Sequence, residues 1–230
     1  MKTLGIIGGM SAESTVPYYQ IINRRVNERL GGNHSAEILL HSVNFERIVR
    51  LQRAGDWKRA GRVLAETAAG LERAGAQGLL LATNTMHRVA DDIEQAVGIP
   101  FLHIIDIAAE ALKKQGIHRA ALFGTRFTMS DGFYRQRMEA HRIEVITPSE
   151  QRQAEIHRII FEELCRNKLT AEARQYYLDS IEELAAEGAE GVIFGCTEIG
   201  LLLQESACPI PAFDTAVLHA QAAAEWILSE

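Results

Sequence analysis

The chain has 230 residues, 47% hydrophobic and 23% charged, with a formal net charge of −6. Such a composition argues against disorder, and the acidic balance leaves no basic footprint for nucleic acid. No apolar run approaches the roughly 20 residues that span a bilayer.

Taken in order, Thr3 to Gly9 reads as a strand closed by a glycine turn. Its apolar run breaks at Gly8-Gly9, short of the roughly 7–15 residues of a signal h-region. An amphipathic helix follows, with Ser11, Glu13 and Ser14 as capping chemistry and Gly31-Gly32 as its end. Ile38 to Val43 is a second strand, and one or two helices lead to Gly75. The run LLLAT is then a central strand that delivers Thr83, Asn84, Thr85, Met86 and His87. Ile99-Pro100 opens another strand, FLHII, with Asp106 at its end.

From there the pattern restarts. Arg119 to Thr125 mirrors the opening strand, and Phe133-Tyr134 answers Tyr18-Tyr19 at an offset of 115 (133 − 18). IEVITP is the second half's second strand, and one long helical region runs from Ser149 to Gly188. The clearest repeat is GAQGLLLATNTMH (Gly75 to His87) against GAEGVIFGCTEIG (Gly188 to Gly200), aligned without a gap at an offset of 113 (188 − 75). Short apolar runs with turn signals at both ends read as strands buried on both faces, as in parallel sheets. The expected fold is therefore α/β, two pseudosymmetric three-layer domains with parallel-type sheets. Residues 1–98 plus 210–230 form the first domain and 99–209 the second.

In open α/β sheets chemistry gathers just beyond the carboxyl ends of the strands. Thr83 and Cys196 are the first residues past the two central strands. Cys196 has two readings: a small buried hydrophobe, or a thiol whose pKa is lowered by a helix starting at Thr197. Cys165, mid-helix among apolar neighbours, and Cys208, before a proline, read as structural. Three cysteines without zinc-type spacing fit a reducing cytoplasm. His87 is open between a structural and a catalytic role. The opening turn reads as amides for a small carboxylate, since neither dinucleotide nor triphosphate glycine spacing is present. Gln52, Arg47, Arg50 and Arg53 follow the second strand, and one of them could reach over the site. The histidines lack ligand spacing such as H-E-x-x-H, so no metal site is expected.

Three stretches, GGMSAEST, the paired TNTMH and GCTEIG, and the FDTA tail, resemble the aspartate/glutamate racemase family of cofactor-independent amino-acid racemases. The likeness runs over essentially the whole chain. It implies two similar α/β domains with an interdomain active-site cleft, and an acid/base group on each side of the substrate Cα. Most of the family uses two cysteines. Here Cys196 matches the second and Thr83 stands at the first, a pairing that resembles L-aspartate/glutamate-specific racemases. An alcohol is a far poorer acid than a thiol, so the resemblance implies an asymmetric enzyme, efficient from the L-enantiomer, in which Cys196 as thiolate takes the proton.

The resemblance also implies substrate contacts at Met10, Asn84, Thr85, Thr125 and Thr197, with Glu198 near the ammonium. Gln52 stands close to where many relatives have an arginine, which leaves room for neutral amino acids. Arg166 or Lys168 is the expected basic residue of the second half. No lysine lies in a pyridoxal-phosphate context, and no cofactor is expected. The expected partner is a small-molecule amino acid, with homodimer assembly left open and neither nucleic acid nor membrane involved. Alternatives are a broader-specificity amino-acid racemase, a related single-cysteine isomerase such as a hydantoin racemase, or a binding protein without turnover.

Overall fold

The computed structural model describes residues 1–229 and divides into two compact units. The first comprises Met1–Ile104 and the closing segment from His219. It contains β1 (Leu4–Gly8), α1 (Ala12–Leu30), β2 (Ile38–Ser42), α2 (Phe45–Ala54), α3 (Trp57–Arg73), β3 (Gly78–Leu81), α4 (Ala90–Glu94) and β4 (Phe101–Leu102). Helix α5 (Ile104–Lys114) leads into the second unit, Ile105–Leu218. There follow β5 (Arg119–Gly124), α6 (Arg126–Ser130), α7 (Phe133–Ala140), β6 (Glu144–Ile146), α8 (Glu150–Glu162) and α9 (Ala171–Ala186). Strand β7 (Gly191–Gly195), α10 (Ile199–Leu202), β8 (Ala212–Asp214) and α11 (Thr215–Leu228) complete the chain.

Each unit holds a four-stranded, wholly parallel sheet flanked by helices, in the order β2-β1-β3-β4 and β6-β5-β7-β8. Parallel strands covered on both faces need apolar side chains on both. Every residue of β1, β3 and β7 is buried. Burying one such Leu, Ile or Phe contributes roughly 1.5–3 kcal/mol. Ile7, Leu64, Leu79, Leu81 and Met86 anchor one core, and Phe123, Ile160, Tyr177, Val192 and Phe194 the other. In both sheets the chain leaves the first strand to one side and returns on the other, so β1/β3 and β5/β7 are topological switch points. In open α/β sheets, ligand sites form just beyond the carboxyl ends of the strands at such points.

Local chemistry sets the helix ends. Ser11 and Ser14 form a reciprocal capping box on α1. Asn44, Asp56, Ser149 and Thr170 each accept a backbone N–H at the start of α2, α3, α8 and α9. Gly78 must be a glycine because a Cβ there would enter the Trp226 ring of α11.

The structure departs from the sequence reading in six places. Strand β4 pairs with β3, Leu79 opposite Phe101, which keeps the chain in the first unit beyond residue 98. Likewise β8 pairs with β7, Val192 opposite Ala212, so the segment after 210 stays in the second unit until Leu218. Asp106 lies in the first turn of α5, not at a strand end. The repeat of α1 is broken into α6 and α7 at Gly132, whose φ of +81° suits glycine. Tyr18 and Tyr134 are both fully buried while Tyr19 is exposed, so the true offset there is 116 (134 − 18), the same as between Leu4 and Ala120 in sheet register (120 − 4). Finally, the long helix after Ser149 is interrupted between α8 and α9 by a 3₁₀ turn at Leu164–Arg166 and a left-handed Asn167.

Candidate active site

In the first unit the switch point is lined by the turn after β1 and the turn after β3. Gly9 has a φ of +86°, and a Cβ there would meet the Val43 backbone, so only glycine fits. Its N–H donates to Thr15 Oγ1 at 2.8 Å, and the Ser11 N–H donates to Ser14 Oγ at 3.1 Å. These two amides, expected to hold a carboxylate, are already engaged by α1. Met10 is buried with its side chain in the hydrophobic core.

Past β3, Ala82 intervenes before Thr83, so Thr83 stands two residues beyond the strand rather than one. Thr83, Asn84 and Thr85 are all buried, and Thr85 opens the 3₁₀ turn Thr85–Val89. His87 sits beneath them, its Nδ1 2.7 Å from the Thr83 carbonyl oxygen and its Nε2 3.3 Å from the Ile104 N–H. The backbone N–H can only donate, so Nε2 accepts and Nδ1 carries the proton. Gln52 reaches the same turn from α2, donating from Nε2 to Met86 Sδ at 3.1 Å. Two cavities of this unit are lined by residues other than those of this turn. One of about 280 Å³ includes His41, Arg47 and Glu66, and one of about 410 Å³ includes Arg47, Arg50 and Arg59.

Behind this turn lies a buried aromatic group that the sequence reading missed. His87 is 4.5 Å from His103 and 6.1 Å from His219, centroid to centroid. His219 is bound at both nitrogens, Nε2 donating to the Leu102 carbonyl at 2.8 Å and Nδ1 accepting from Tyr18 OH at 3.1 Å. Burial pushes its pKa down to about 4. Among the described residues no group of His, Cys, Asp and Glu is arranged to hold a metal ion.

The second unit repeats the arrangement with different chemistry. Gly124 and Gly195 face each other in register at the ends of β5 and β7, where a Cβ on either would crowd the opposite backbone. Thr125 caps α6, accepting from the Thr128 N–H at 3.3 Å, and the next N–H, of Arg126, donates to His157 Nδ1 at 3.2 Å.

Cys196 directly follows β7 and is 7% exposed. Its thiol donates to Glu198 Oε2 at 3.1 Å, and the Thr197 hydroxyl donates to the same oxygen at 2.8 Å. The other oxygen, Oε1, accepts from the Cys165 thiol at 3.7 Å. Helix α10 has only four residues and starts at Ile199, three positions on. Burial first, then the charge of Glu198, therefore push the Cys196 thiol well above the usual cysteine range. This overturns the expectation of a lowered thiol pKa.

Arg166 and Lys168 lie not on a helix but in the break between α8 and α9, and both are exposed. The break is held by Glu163, which accepts from Arg158 Nη2 at 2.8 Å and Thr170 Oγ1 at 3.1 Å. Cys165 belongs to this turn, half-buried and pointed at Glu198. Its contact went unread because Asn167 and the Thr170 cap, which mark the interruption, were taken into one helix. Tyr177 of α9 was also missed. It is fully buried, its hydroxyl has no hydrogen-bond partner among the described residues, and burial together with Cys196, Glu198 and Cys165 raises its phenol.

Each of the two parallel α/β units ends its central strand in a buried polar cluster. A model of the Asp/Glu/hydantoin racemase family matches residues 7–223, so the chain belongs to that family and is an amino-acid racemase by class. It is 51% identical to a proposed Asp/Glu racemase from Yersinia pestis, with a TM-score of 0.93 and 100% of each chain covered. An aspartate racemase homologue from Pyrococcus horikoshii OT3 is 34% identical, with a TM-score of 0.86 and 100% of each chain covered. The broad specificity amino-acid racemase RacX of Bacillus subtilis (strain 168) is 22% identical over 221 residues, 95% of both chains. Among the described residues no helix is long and apolar enough to cross a membrane.

Proposed function

We propose that the protein inverts Cα of aspartate or glutamate without pyridoxal phosphate, by exchanging protons on opposite faces of that carbon. Cys196 serves one face and Thr83 the other. The observation that carries this reading is the difference between the two groups. The Cys196 thiol already donates to a carboxylate, Glu198, at 3.1 Å. Thr83 has only an alcohol, placed by the strand end and by His87.

The steps follow from that difference. Glu198 takes the thiol proton, and the thiolate removes the Cα proton of the L-enantiomer. The Cα carbanion is basic enough to accept a proton from an alcohol, so Thr83 can complete inversion. The alcohol cannot readily begin the reverse reaction. Enantiomers have equal free energy in water, so net racemisation has one kcat/KM in both directions. The asymmetry must therefore show in proton exchange, not in net conversion.

An acidic substrate is supported by Arg47 and Arg59, which line one cavity of the first unit beside the ion pair of Arg50 with Glu46. They lie on and beside α2, which starts just past the carboxyl end of β2. Asn84, Thr85 and Thr197 remain the proposed contacts to the α-carboxylate, with Thr125 and the main chain at Met10 in the two glycine turns beside it and Arg166 or Lys168 as the second unit's cation. A broader amino-acid specificity is favoured by Gln52, a neutral side chain held on Met86.

The test is solvent exchange in deuterium oxide. Loss of the Cα–H resonance of L-aspartate or L-glutamate, abolished by Cys196→Ala, is expected. A panel of amino acids then ranks acidic against neutral substrates. No exchange from any of them would remove the racemase reading and leave a binding protein.

A further inference from the structure

The outer strands of the two sheets are not alike. Strands β4, β6 and β8 have two or three residues each, short enough to blunt an edge by themselves. Strand β2 has five, Ile38 to Ser42, and the last three are exposed. It carries no lysine, proline or carboxylate of the kind that keeps an edge from pairing. Its register with β1 decides which backbone groups are used. The Leu4 N–H donates to the Glu37 carbonyl at 2.9 Å, and the Val43 N–H to the Gly8 carbonyl at 3.0 Å. Alternate residues of a parallel strand bond the same neighbour, so Glu37, Leu39, His41 and Val43 face β1. Ile38, Leu40 and Ser42 turn N–H and C=O the other way, where among the described residues the sheet has no further strand.

Apolar side chains flank that edge. A methyl group at Gly8 would touch both Thr15 Cγ2 and Leu40 Cδ1, so α1 lies against β2 at Leu40. Tyr19 and Asn23 follow Thr15 at successive i+4 positions on one helix face, and Asn23 Oδ1 accepts the Ala36 N–H at 3.0 Å. This row of α1 therefore runs beside residues 36–40. On and next to it Val16 is 53% and Tyr19 54% exposed, and Leu40 on the strand is 47% exposed.

We propose that β2 is the docking edge for a second copy of this chain, the two strands pairing antiparallel about a two-fold axis at Leu40. The strand is self-complementary under that operation. Leu40 meets the partner's Leu40, Ile38 meets Ser42 and Leu39 meets His41, so no charge opposes its like. The pairs at 38, 40 and 42 exchange their outward N–H and C=O groups. The axis is perpendicular to the sheet, so both α1 helices lie on one face and turn Val16 and Tyr19 toward each other. A lone extended peptide could take the backbone groups but brings no helix to cover those two side chains. Each copy offers one strand and a short helix stripe, well under the roughly 20–30 residues of a standard interface. The dimer is accordingly weak and concentration-dependent, with a dissociation constant in the micromolar range. None of this depends on the reaction catalysed.

Sedimentation velocity of the full chain between about 1 and 200 µM is expected to show a monomer–dimer equilibrium. Leu40→Lys sets two ammonium groups against each other on the axis. Ile38→Pro deletes one outward N–H at the first strand residue, where proline is tolerated. Each is expected to weaken dimerisation by about tenfold or more, with circular dichroism and urea midpoint near the parent's. Leu169→Lys, 47% exposed on the second unit, is expected to leave it unchanged. Leu40→Cys lies about 5.5 Å from its copy, Cα to Cα, within disulfide reach. Diamide, by taking up the two thiol hydrogens, is expected to join the copies there, as read by peptide mass spectrometry, and not in Leu169→Cys.

A chain that stays monomeric throughout overturns the proposal. So does a dimer that Leu40→Lys and Ile38→Pro leave intact, or one that cross-links through Leu169→Cys and not through Leu40→Cys. A monomer that co-purifies with a foreign peptide, released by Leu40→Lys, would also overturn it and make β2 a strand-addition site for another protein.

Discussion

His87 and Thr83 are joined by a 2.7 Å hydrogen bond from the imidazole Nδ1 to the threonine carbonyl oxygen, while the Ile104 N–H fills the ring's other nitrogen. Both nitrogens are spoken for, which fixes one neutral tautomer and ties the turn after β3 to the start of α5. His87 thus holds Thr83 in place and has no lone pair or proton to spare for substrate. His87→Ala leaves a buried carbonyl without its donor and opens a cavity. The expected cost is about 2–4 kcal/mol, seen as a lower urea midpoint. A variant of unchanged stability would contradict the positioning role.

The alcohol at Thr83 gives a kinetic signature. Starting from the L-enantiomer in deuterium oxide, Cys196 can remove the Cα proton and return deuterium to the same face many times before inversion occurs. Exchange with retention is expected to outrun formation of the D-enantiomer by about two orders of magnitude, the usual worth of a positioned acid/base group. Thr83→Cys supplies a thiol on the second face and is expected to bring the two rates close together. Proton NMR combined with chiral chromatography reads both. Equal rates in the unmodified protein would remove the asymmetry.

Much of this was legible because β3 and β7 are uninterrupted apolar runs ending in small polar residues at one constant offset. Repeats of that kind report sheet topology directly. Breaks within helices were harder to read. Gly132 and Asn167 each reset the chain through one left-handed residue, and the apolar spacing on either side hides them. The protonation of Cys196 was misread because it depends on Glu198 turning back toward the thiol and on burial. Neither follows from the order Cys-Thr-Glu. The His87–His103–His219 group joins positions more than a hundred residues apart, with no local motif to announce it.

Two buried groups give opposite pH dependences. Burial lowers His219 from 6.5 to about 4, so its neutral form belongs to the fold, and stability is lost as pH falls from about 6.5 toward 4. Burial raises Asp214 from 3.8 to about 6, outweighing the N–H groups of Ala216 and Val217 that it accepts. Its contribution is fullest below about 3.8 and is lost as pH rises through about 6. Each swing is of the order of 3 kcal/mol, and between about pH 4 and 6 they oppose one another. Asp214→Asn, which can still cap α11, is expected to expose the His219 slope, with urea midpoints falling steeply in acid. His219→Gln, which can still donate to Leu102, is expected to expose the reverse slope. Parallel pH profiles for the two variants would refute this assignment.

The Tyr177 hydroxyl gives the cleanest test of how the second unit's core is built. The ring is fully buried and lies 5.9 Å from Phe123, centroid to centroid. Among the described residues its O–H has no hydrogen-bond partner, so folding removes it from water without compensation. Deleting that oxygen leaves the ring packing untouched. Tyr177→Phe is therefore expected to raise stability by up to about 1 kcal/mol, with an unchanged denaturant slope. Tyr134→Phe makes a matched comparison, since that hydroxyl is equally buried and equally without a partner, and it is expected to shift the midpoint in the same direction. A loss above about 1 kcal/mol in Tyr177→Phe would mean that its hydroxyl finds a partner in solution. Cys196 and Glu198, which both contribute to raising this phenol, would be the first places to look for one.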